Sequence, residues 1–598
     1  MEVLGRDAGA GRLRAVFLMA TALKLLLIPS YRSTDFEVHR NWMAITHTLP
    51  LSNWYYESTS EWTLDYPPLF AWFEWALAHA AVWFDPAMVE LHHLNYASPL
   101  AVLFQRLTVI ATDLVLFAGA LRLCQTLFPL SEAKRLVCVG LVVLNPGLLI
   151  VDHVHFQYNG LLMGLLLLSI DAILHSHVLV GAALFTVVVN MKHIFVYMAP
   201  VYFVYILKNY CFCAPSAAPS VAPSVAPSAA PSAPSAAPLS PDRRRRPSLA
   251  GSDTESDTEG SCAEEEGDEW YGAGEKPRSF SPLRFIRVGL VVLAVVAVSL
   301  GPFVYLSQIR QVLSRLFPFG RGLCNAYWAP NFWTLYNVAD KILAQRTVGV
   351  GVMTGGLVGE FEHAVLPVVK PLHTFVLTLA ASTPLLWKLL DGGRGGRVFI
   401  AALVQCSLCF FMFSWHVHEK AVLMPILLLT LLAGMDRDYA HAFFFASTVA
   451  HYSLFPLLFT PREYATKVLL VGTYTLVAWV LLPQIHAPPR APERRRSGGG
   501  GTEPAAEERL VGGWWTGDGA YLAGLAAVEA YGGSWGGLHA WLWGAGGRLP
   551  FLPLLVTSLY CALGLLHAFV RLYRAFLLIV VPSTTSSARS SPAPLKRS

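Results

Sequence analysis

Charge is what this chain of 598 residues has least of. Asp, Glu, Lys and Arg make up only 14% of it, against about 25% in an ordinary soluble domain. Hydrophobic residues account for 54%, and the mean hydropathy is +0.48. The apolar residues fall in helix-length runs rich in Leu, Val and Ala. A run of about 20 such residues crosses the hydrocarbon core as a helix, which satisfies its own backbone hydrogen bonds. The composition therefore excludes a soluble enzyme, and the run length argues against a barrel. The net charge of +5 resides mostly in loops, including Arg243–Arg246, which excludes a nucleic-acid binder. Cysteine is sparse as well: nine residues with no metal-type spacing. The C-x-x-C of Cys406 and Cys409 lies inside an apolar run and reads as core packing, so neither a disulfide framework nor a metal site is implied. A cleavage site is missing too. The basic start (Arg6, Arg12, Arg14) and apolar stretch end in Ile28-Pro29-Ser30-Tyr31, so the segment reads as an uncleaved first span.

What is present is an all-α polytopic membrane protein of about fourteen spans. They are expected near 14–30, 107–124, 136–151, 160–176, 178–192, 193–209, 284–306, 370–389, 397–414, 420–435, 440–460, 464–484, 517–545 and 549–575. Five parts follow: a first membrane module 1–209 with a long polar loop, an insert 210–282, a second membrane module 283–484, a Gly/Pro/Arg-rich loop 485–516, and a terminal part 517–598. The insert repeats Ala-Pro-Ser, then turns basic, then acidic through Ser252–Glu259. It cannot bury a core and reads as a disordered, solvated insertion. With the N-terminus cytosolic, the loops carrying Lys134/Arg135, Lys388/Arg397, Arg494–Arg496 and Arg571/Arg574 all fall in the cytosol. The loop at 310–370 breaks the rule with Arg310, Arg315, Arg321, Lys341 and Arg346 on the opposite side, where cations would meet an anion.

Polar residues cluster at span ends, and parity puts the clusters on one face. They are Asp35-Phe36-Glu37-Val38-His39-Arg40-Asn41-Trp42, Leu64-Asp65-Tyr66-Pro67-Pro68, Asp152-His153-Val154-His155-Phe156-Gln157-Tyr158-Asn159, Asn190-Met191-Lys192-His193, Arg321-Gly322-Leu323 and Trp415-His416-Val417-His418-Glu419-Lys420. Ionisable groups against a membrane are costly to desolvate. Their convergence predicts a cavity at the bilayer surface, fit for a lipid headgroup and a polar acceptor. A transporter would instead show charges at the midplane and symmetry between halves; no internal repeat is evident here.

Asp35–Trp42, Trp54-Tyr55-Tyr56-Glu57, Leu64–Pro68, His155–Asn159 and Trp415–Lys420 together resemble the dolichyl-phosphate-glucose-dependent α-1,3-glucosyltransferases of the endoplasmic reticulum. The likeness covers nearly all the membrane-embedded chain and omits the insert. Of the two kinds within that family, the first loop (Trp54–Asp65) and the run Arg321–Trp333 resemble the kind that adds the second glucose. The first-glucose kind, whose Tyr-Trp-Gly-Leu-Asp-Tyr-Pro-Pro pattern is absent, is the alternative, with a mannosyltransferase or a transporter further off. The resemblance implies a GT-C fold with luminal interfacial helices, residence in the reticulum membrane with a luminal site, dolichol-linked donor and acceptor lipids, and inverting transfer without a metal. Protein partners are not indicated.

The resemblance also assigns roles. Asp35 is the expected base, taking the proton of the acceptor hydroxyl; a lone Asp just past a span would otherwise read as a cap or a solvated charge. The departing lipid phosphate develops negative charge, so cations or imidazoles should face it: His418, then Arg321, with Lys420 and His416. Glu419 and Lys420 could equally form a local ion pair. Asp65 and Tyr66 either orient the acceptor or end an interfacial helix before Pro67-Pro68. Glu37 is an expected acceptor-binding residue; Gln157 and Asn159 are sugar-hydroxyl partners in one reading and buried hydrogen-bonders in the other. Lys192 at a span end reads most simply as snorkelling. His416 and His418, like His153 and His155, are two residues apart, and on a helix such a pair points apart, which disfavours a metal.

Overall fold

Serine, aspartate and asparagine punctuate this chain, and they start its helices. The computed structural model describes residues 2–213, 279–317, 320, 322–324, 328–347, 363–392, 395–487, 518–533, 537–544 and 549–578. Ser33, Ser98, Ser131 and Asp436 each cap a helix by accepting a backbone N–H in its first turn, which satisfies donors that have no intrahelical partner. One compact body takes in 1–212 and 280–583. A second unit, 213–279 and 584–598, contributes only Cys213 and Ser279 to the described residues. The insert from 214 to 278, the 485–516 loop beyond 487, and Arg321 lie outside the described residues.

Among the described residues, seven helices are long and apolar enough to cross a membrane: Pro99–Leu127, Glu132–Phe156, His193–Cys211, Pro282–Tyr305, Gly396–Phe413, Pro461–Ile485 and Leu552–Leu577. Two shorter apolar helices are Asn159–Leu174 and Val178–Met191. The expected spans at 420–435 and 440–460 appear as Leu423–Met435 and Arg437–Tyr452, of 13 and 16 residues. At about 1.5 Å per residue neither reaches the ~30 Å of a hydrocarbon core by itself. The Gly-rich candidate 517–545 divides into Gly519–Gly532 and Gly537–Trp543. The expected first span at 14–30 falls largely in helix Glu2–Leu26, which is not among the seven.

Glycine permits the tightest contact. Helix Asn159–Leu174 lies against Pro99–Leu127, and a Cβ on Gly164 would stand 2.5 Å from the backbone nitrogen of Leu116. A Cβ on Gly119 would stand 2.5 Å from the Gly164 carbonyl oxygen. Small residues let two membrane helices approach this closely.

The long polar loop after Glu2–Leu26 is itself ordered. It forms helix Thr34–Thr48, the turn Leu51–Asn53 and helix Pro68–Phe84. Trp54 packs on Trp72 at 4.9 Å, and Tyr55 packs on Phe303 at 5.2 Å. From the other module, helix Ile309–Leu316 buries Val312 and Leu316. Gln308, Gln311 and Arg315 donate to the carbonyls of Ser52 and Tyr55, and Arg315 also reaches Thr63 Oγ1 at 2.9 Å. The loop is thereby clamped against helix Thr34–Thr48, whose Asn41 and Trp42 donate to the carbonyls of Trp62 and Thr63.

Candidate active site

Asp35 is the second residue of helix Thr34–Thr48, and its amide bonds the capping Ser33 hydroxyl at 3.1 Å. That hydroxyl in turn donates to the His155 carbonyl, so the helix start is tied to the stretch of chain that completes the site. Two donors meet at one oxygen of Asp35. Lys420 Nζ and Gln157 Nε2 each reach Oδ2 at 2.7 Å. His155 Nδ1 stands 3.3 Å from the same atom without hydrogen-bond geometry. Among the described residues none hydrogen-bonds Oδ1. Burial alone would raise the Asp35 carboxyl, but the charges of Lys420 and then His155 outweigh it, and its pKa falls well below the usual carboxylate range.

Residues 155 and 157 would face apart on a regular helix. They come to the same carboxylate because Phe156 between them adopts φ +89°, a left-handed conformation costly for a bulky residue. The Phe156 ring is locked by Phe36, His39 and Tyr158, and Arg106 lies 5.8 Å from its centre. Arg106 also donates to the carbonyls of Tyr31, His153 and Val154.

Behind Asp35 the polar chain continues. Gln157 Oε1 accepts from Asn159 Nδ2 at 2.9 Å and from Lys192 Nζ at 3.2 Å. Lys192 also donates to Asn159 Oδ1 at 2.8 Å, and Asn159 donates to Asp152 at 2.7 Å. Lys192 does not snorkel; it lies 5.3 Å over the Tyr66 ring, and burial pulls its pKa down. Deeper still, Asp113 is held by Lys24 at 2.5 Å and His153 at 2.7 Å. Nothing in the sequence pattern singled out Lys24, Arg106 or Asp113, although charges inside apolar runs were there to be seen.

The other sequence candidates divide. Tyr66 stays in the cluster, its ring on Trp42 at 4.9 Å; burial, then the charges on Asp65 and Asp35, push its phenol well above the usual value. His418 follows helix Gly396–Phe413 with its side chain 47% exposed and its Nδ1 3.9 Å from Glu419. Burial raises the Glu419 carboxyl; Lys420, its alternative local partner in the sequence, goes to Asp35 instead. His416 is occupied elsewhere: its Nδ1 meets the Gly322 carbonyl at 2.7 Å and its amide donates to Leu323 at 3.0 Å. It thus braces the segment Gly322–Cys324 rather than facing Asp35. Glu37 accepts from Arg40 at both oxygens, each at 2.8 Å. His39 pairs with Glu74 at 2.6 Å inside an aromatic surround. Arg321 falls outside the described residues. Among the described residues no three His, Cys, Asp or Glu side chains gather as a metal site, and the His416 and His418 rings stand perpendicular, 6.0 Å apart.

The arrangement can hold one carboxylate ionised, present its second oxygen to a hydroxyl, and offer cations to a nearby phosphate. Comparison with known proteins agrees in kind. The model of the ALG6, ALG8 glycosyltransferase family matches residues 20–572. The chain is 42% identical over 589 residues to a Mus musculus protein named dolichyl pyrophosphate Glc1Man9GlcNAc2 alpha-1,3-glucosyltransferase, covering 95% of this chain and 96% of that one. It is 40% identical over 567 residues to the Arabidopsis thaliana protein of the same name, covering 93% and 96%. A Drosophila melanogaster protein, named as probably the same enzyme, is 39% identical over 585 residues, covering 97% of each.

Proposed function

Because this chain belongs to the ALG6, ALG8 glycosyltransferase family, we propose that it moves glucose from dolichyl phosphate glucose onto a lipid-linked Glc1Man9GlcNAc2 oligosaccharide. The new bond is an α-1,3 linkage, the second glucose of N-glycan precursor assembly, and the relatives' names support that acceptor. The enzyme works in the endoplasmic reticulum membrane with its site on the luminal face, and its architecture is of the GT-C kind. Both lipids are substrates, and no metal takes part.

The observation that carries the mechanism is the one-sided loading of Asp35. Oδ2 accepts from Lys420 and Gln157, which leaves Oδ1 for the acceptor hydroxyl. In the transfer, the acceptor oxygen attacks C1 of the β-linked glucose and its proton passes to Oδ1. The C1–O bond to phosphate breaks, and its electron pair leaves with the lipid phosphate, giving the inverted α product. A carboxylate with so low a pKa is a weak base, and the geometry supplies the remedy. Lys420 is an ammonium with three donors; as charge grows on the departing phosphate it is drawn there, and Asp35 gains basicity as the proton arrives. Exposed His418 faces the same phosphate, and Asp65 with Tyr66 orients the acceptor.

The test uses the full chain in lipid nanodiscs with dolichyl phosphate glucose and either the monoglucosylated or the unglucosylated lipid acceptor. Transfer to the monoglucosylated acceptor alone is expected, with Asp35→Asn slowing it by about 10²- to 10⁴-fold at unchanged melting temperature. Transfer to the unglucosylated acceptor would instead make it the first-glucose enzyme. Near-normal turnover by Asp35→Asn would remove Asp35 as the base.

A further inference from the structure

We propose that Lys192 is a positioning residue that sets the polarity of the hydrogen-bond chain ending on Asp35, a role that rests on Asp35 being the base of the transfer. An ammonium donates three hydrogens and accepts none. Any amide atom facing it must therefore be an oxygen. Lys192 Nζ meets Gln157 Oε1 at 3.2 Å and Asn159 Oδ1 at 2.8 Å. With both carbonyl ends engaged, both amide NH2 groups turn outward. That of Gln157 reaches Asp35 Oδ2, and that of Asn159 reaches Asp152 Oδ1, each at 2.7 Å. One cation thus aims two amides at two carboxylates.

The consequence appears when Asp35 takes a proton. A protonated carboxyl can donate, and a free Gln157 could turn its oxygen toward Oδ2 to receive that bond. Lys192 forbids the turn, because the Gln157 NH2 would then face an ammonium. Oδ2 remains an acceptor throughout, so the proton must be taken at Oδ1, on the side left for the substrate. The backbone fixes Lys192 in place. It sits in an extended conformation, φ −146° and ψ 110°, between helix Val178–Met191 and the turn His193–Met198. The titratable groups around Lys192 are Asp152, Lys420, Asp35, Asp65, His193 and His418; those around Asp35 are Lys420, His155, His39, Lys192, His418 and Glu419.

A double-mutant cycle tests this in the full chain in nanodiscs with both lipid substrates. Lys192→Met and Gln157→Met are each expected to lower kcat by about 10- to 100-fold, the scale of one charge-assisted hydrogen bond, with little change in either KM. Both should move the acid limb of kcat/KM to higher pH. The double variant should be no worse than the poorer single, because both remove the same link. Multiplying losses, a loss confined to KM, or an unmoved acid limb would overturn the proposal. Lys192→Arg, which keeps the donors, guards against a folding failure: its acid limb should stay at the wild-type pH, and a folded arginine variant with a raised limb would equally overturn it. If the wild-type chain transfers glucose while the losses multiply, only the role of Lys192 falls; if the wild-type chain does not transfer glucose, the reading of Asp35 falls with it.

Discussion

Lys420 reaches Asp35 across 385 residues of sequence, and among the charges that lower the Asp35 carboxyl its own is the largest. Because the carboxyl is depressed in the folded chain, the contribution of the pair to stability is fully present above the ordinary carboxylate range. It is lost as pH falls through the depressed value. Lys420→Met should therefore raise the acid limb of kcat/KM toward the ordinary value of about 4, and should slow transfer by about 10²- to 10³-fold through the lost charge at the phosphate. A pH–rate profile decides it: an unshifted limb would mean that some other group holds Asp35 ionised. Asp35 and Lys420 were picked out by the resemblance, since by themselves an Asp just past a span reads as a cap and Lys420 as a partner of Glu419. Lys192 was not, since a lysine at a helix end has two solutions. Its stem can turn outward to water, or inward if oxygens such as those of Gln157 and Asn159 await it. The pairing of Glu37 with Arg40 was open to view, since they stand three residues apart, the spacing at which helix side chains meet.

Helices in this protein are positioned by what their faces lack. The approach of Asn159–Leu174 to Pro99–Leu127 depends on Gly119 and Gly164, where an added Cβ would strike backbone that cannot move aside. Gly164→Ala should cost about 1–3 kcal/mol of stability through forced separation and lower the melting temperature in a thermal-shift assay. Gly472→Ala, where a Cβ meets nothing within 4 Å, should leave it unchanged or slightly raised. Equal melting of the two variants would show that the close contact is not stabilising. Asn159 is the first residue of the helix that Gly164 seats, so the glycine variant should also lose turnover. Apolar run length revealed most of these elements, and chain breakers marked most ends. It did not reveal the interruptions: Leu149–Phe156 continues its span as a π-helix, and the left-handed Phe156 that ends it left no mark that a hydropathy reading can see. The gap between about fourteen expected spans and seven qualifying helices has a physical source as well, since helices such as Leu423–Met435 are apolar on all sides because protein surrounds them.

Over the whole chain, the candidate site residues divide between two stretches. Asp35, Gln157 and Lys192 come before the Ala-Pro-Ser insert, and His418 and Lys420 come after it. That these clusters meet was expected from span parity; which atoms touch was not legible, because contacts over hundreds of residues leave no local pattern. Where the insert begins and ends, Phe212–Cys213 and Ser279–Phe280 pair as two short strands, with the Phe212 and Phe280 rings 5.4 Å apart. Replacing 214–278 with a few Gly/Ser residues should therefore leave kcat and both KM values within about two-fold, as expected for a loop whose length costs little. A large loss of transfer in the shortened chain would give those residues a part in the reaction. The pairing carries a consequence for how the molecule can be assembled. Two separately expressed polypeptides, divided at that neck, would each be silent, and mixing them in one membrane would restore turnover by complementation.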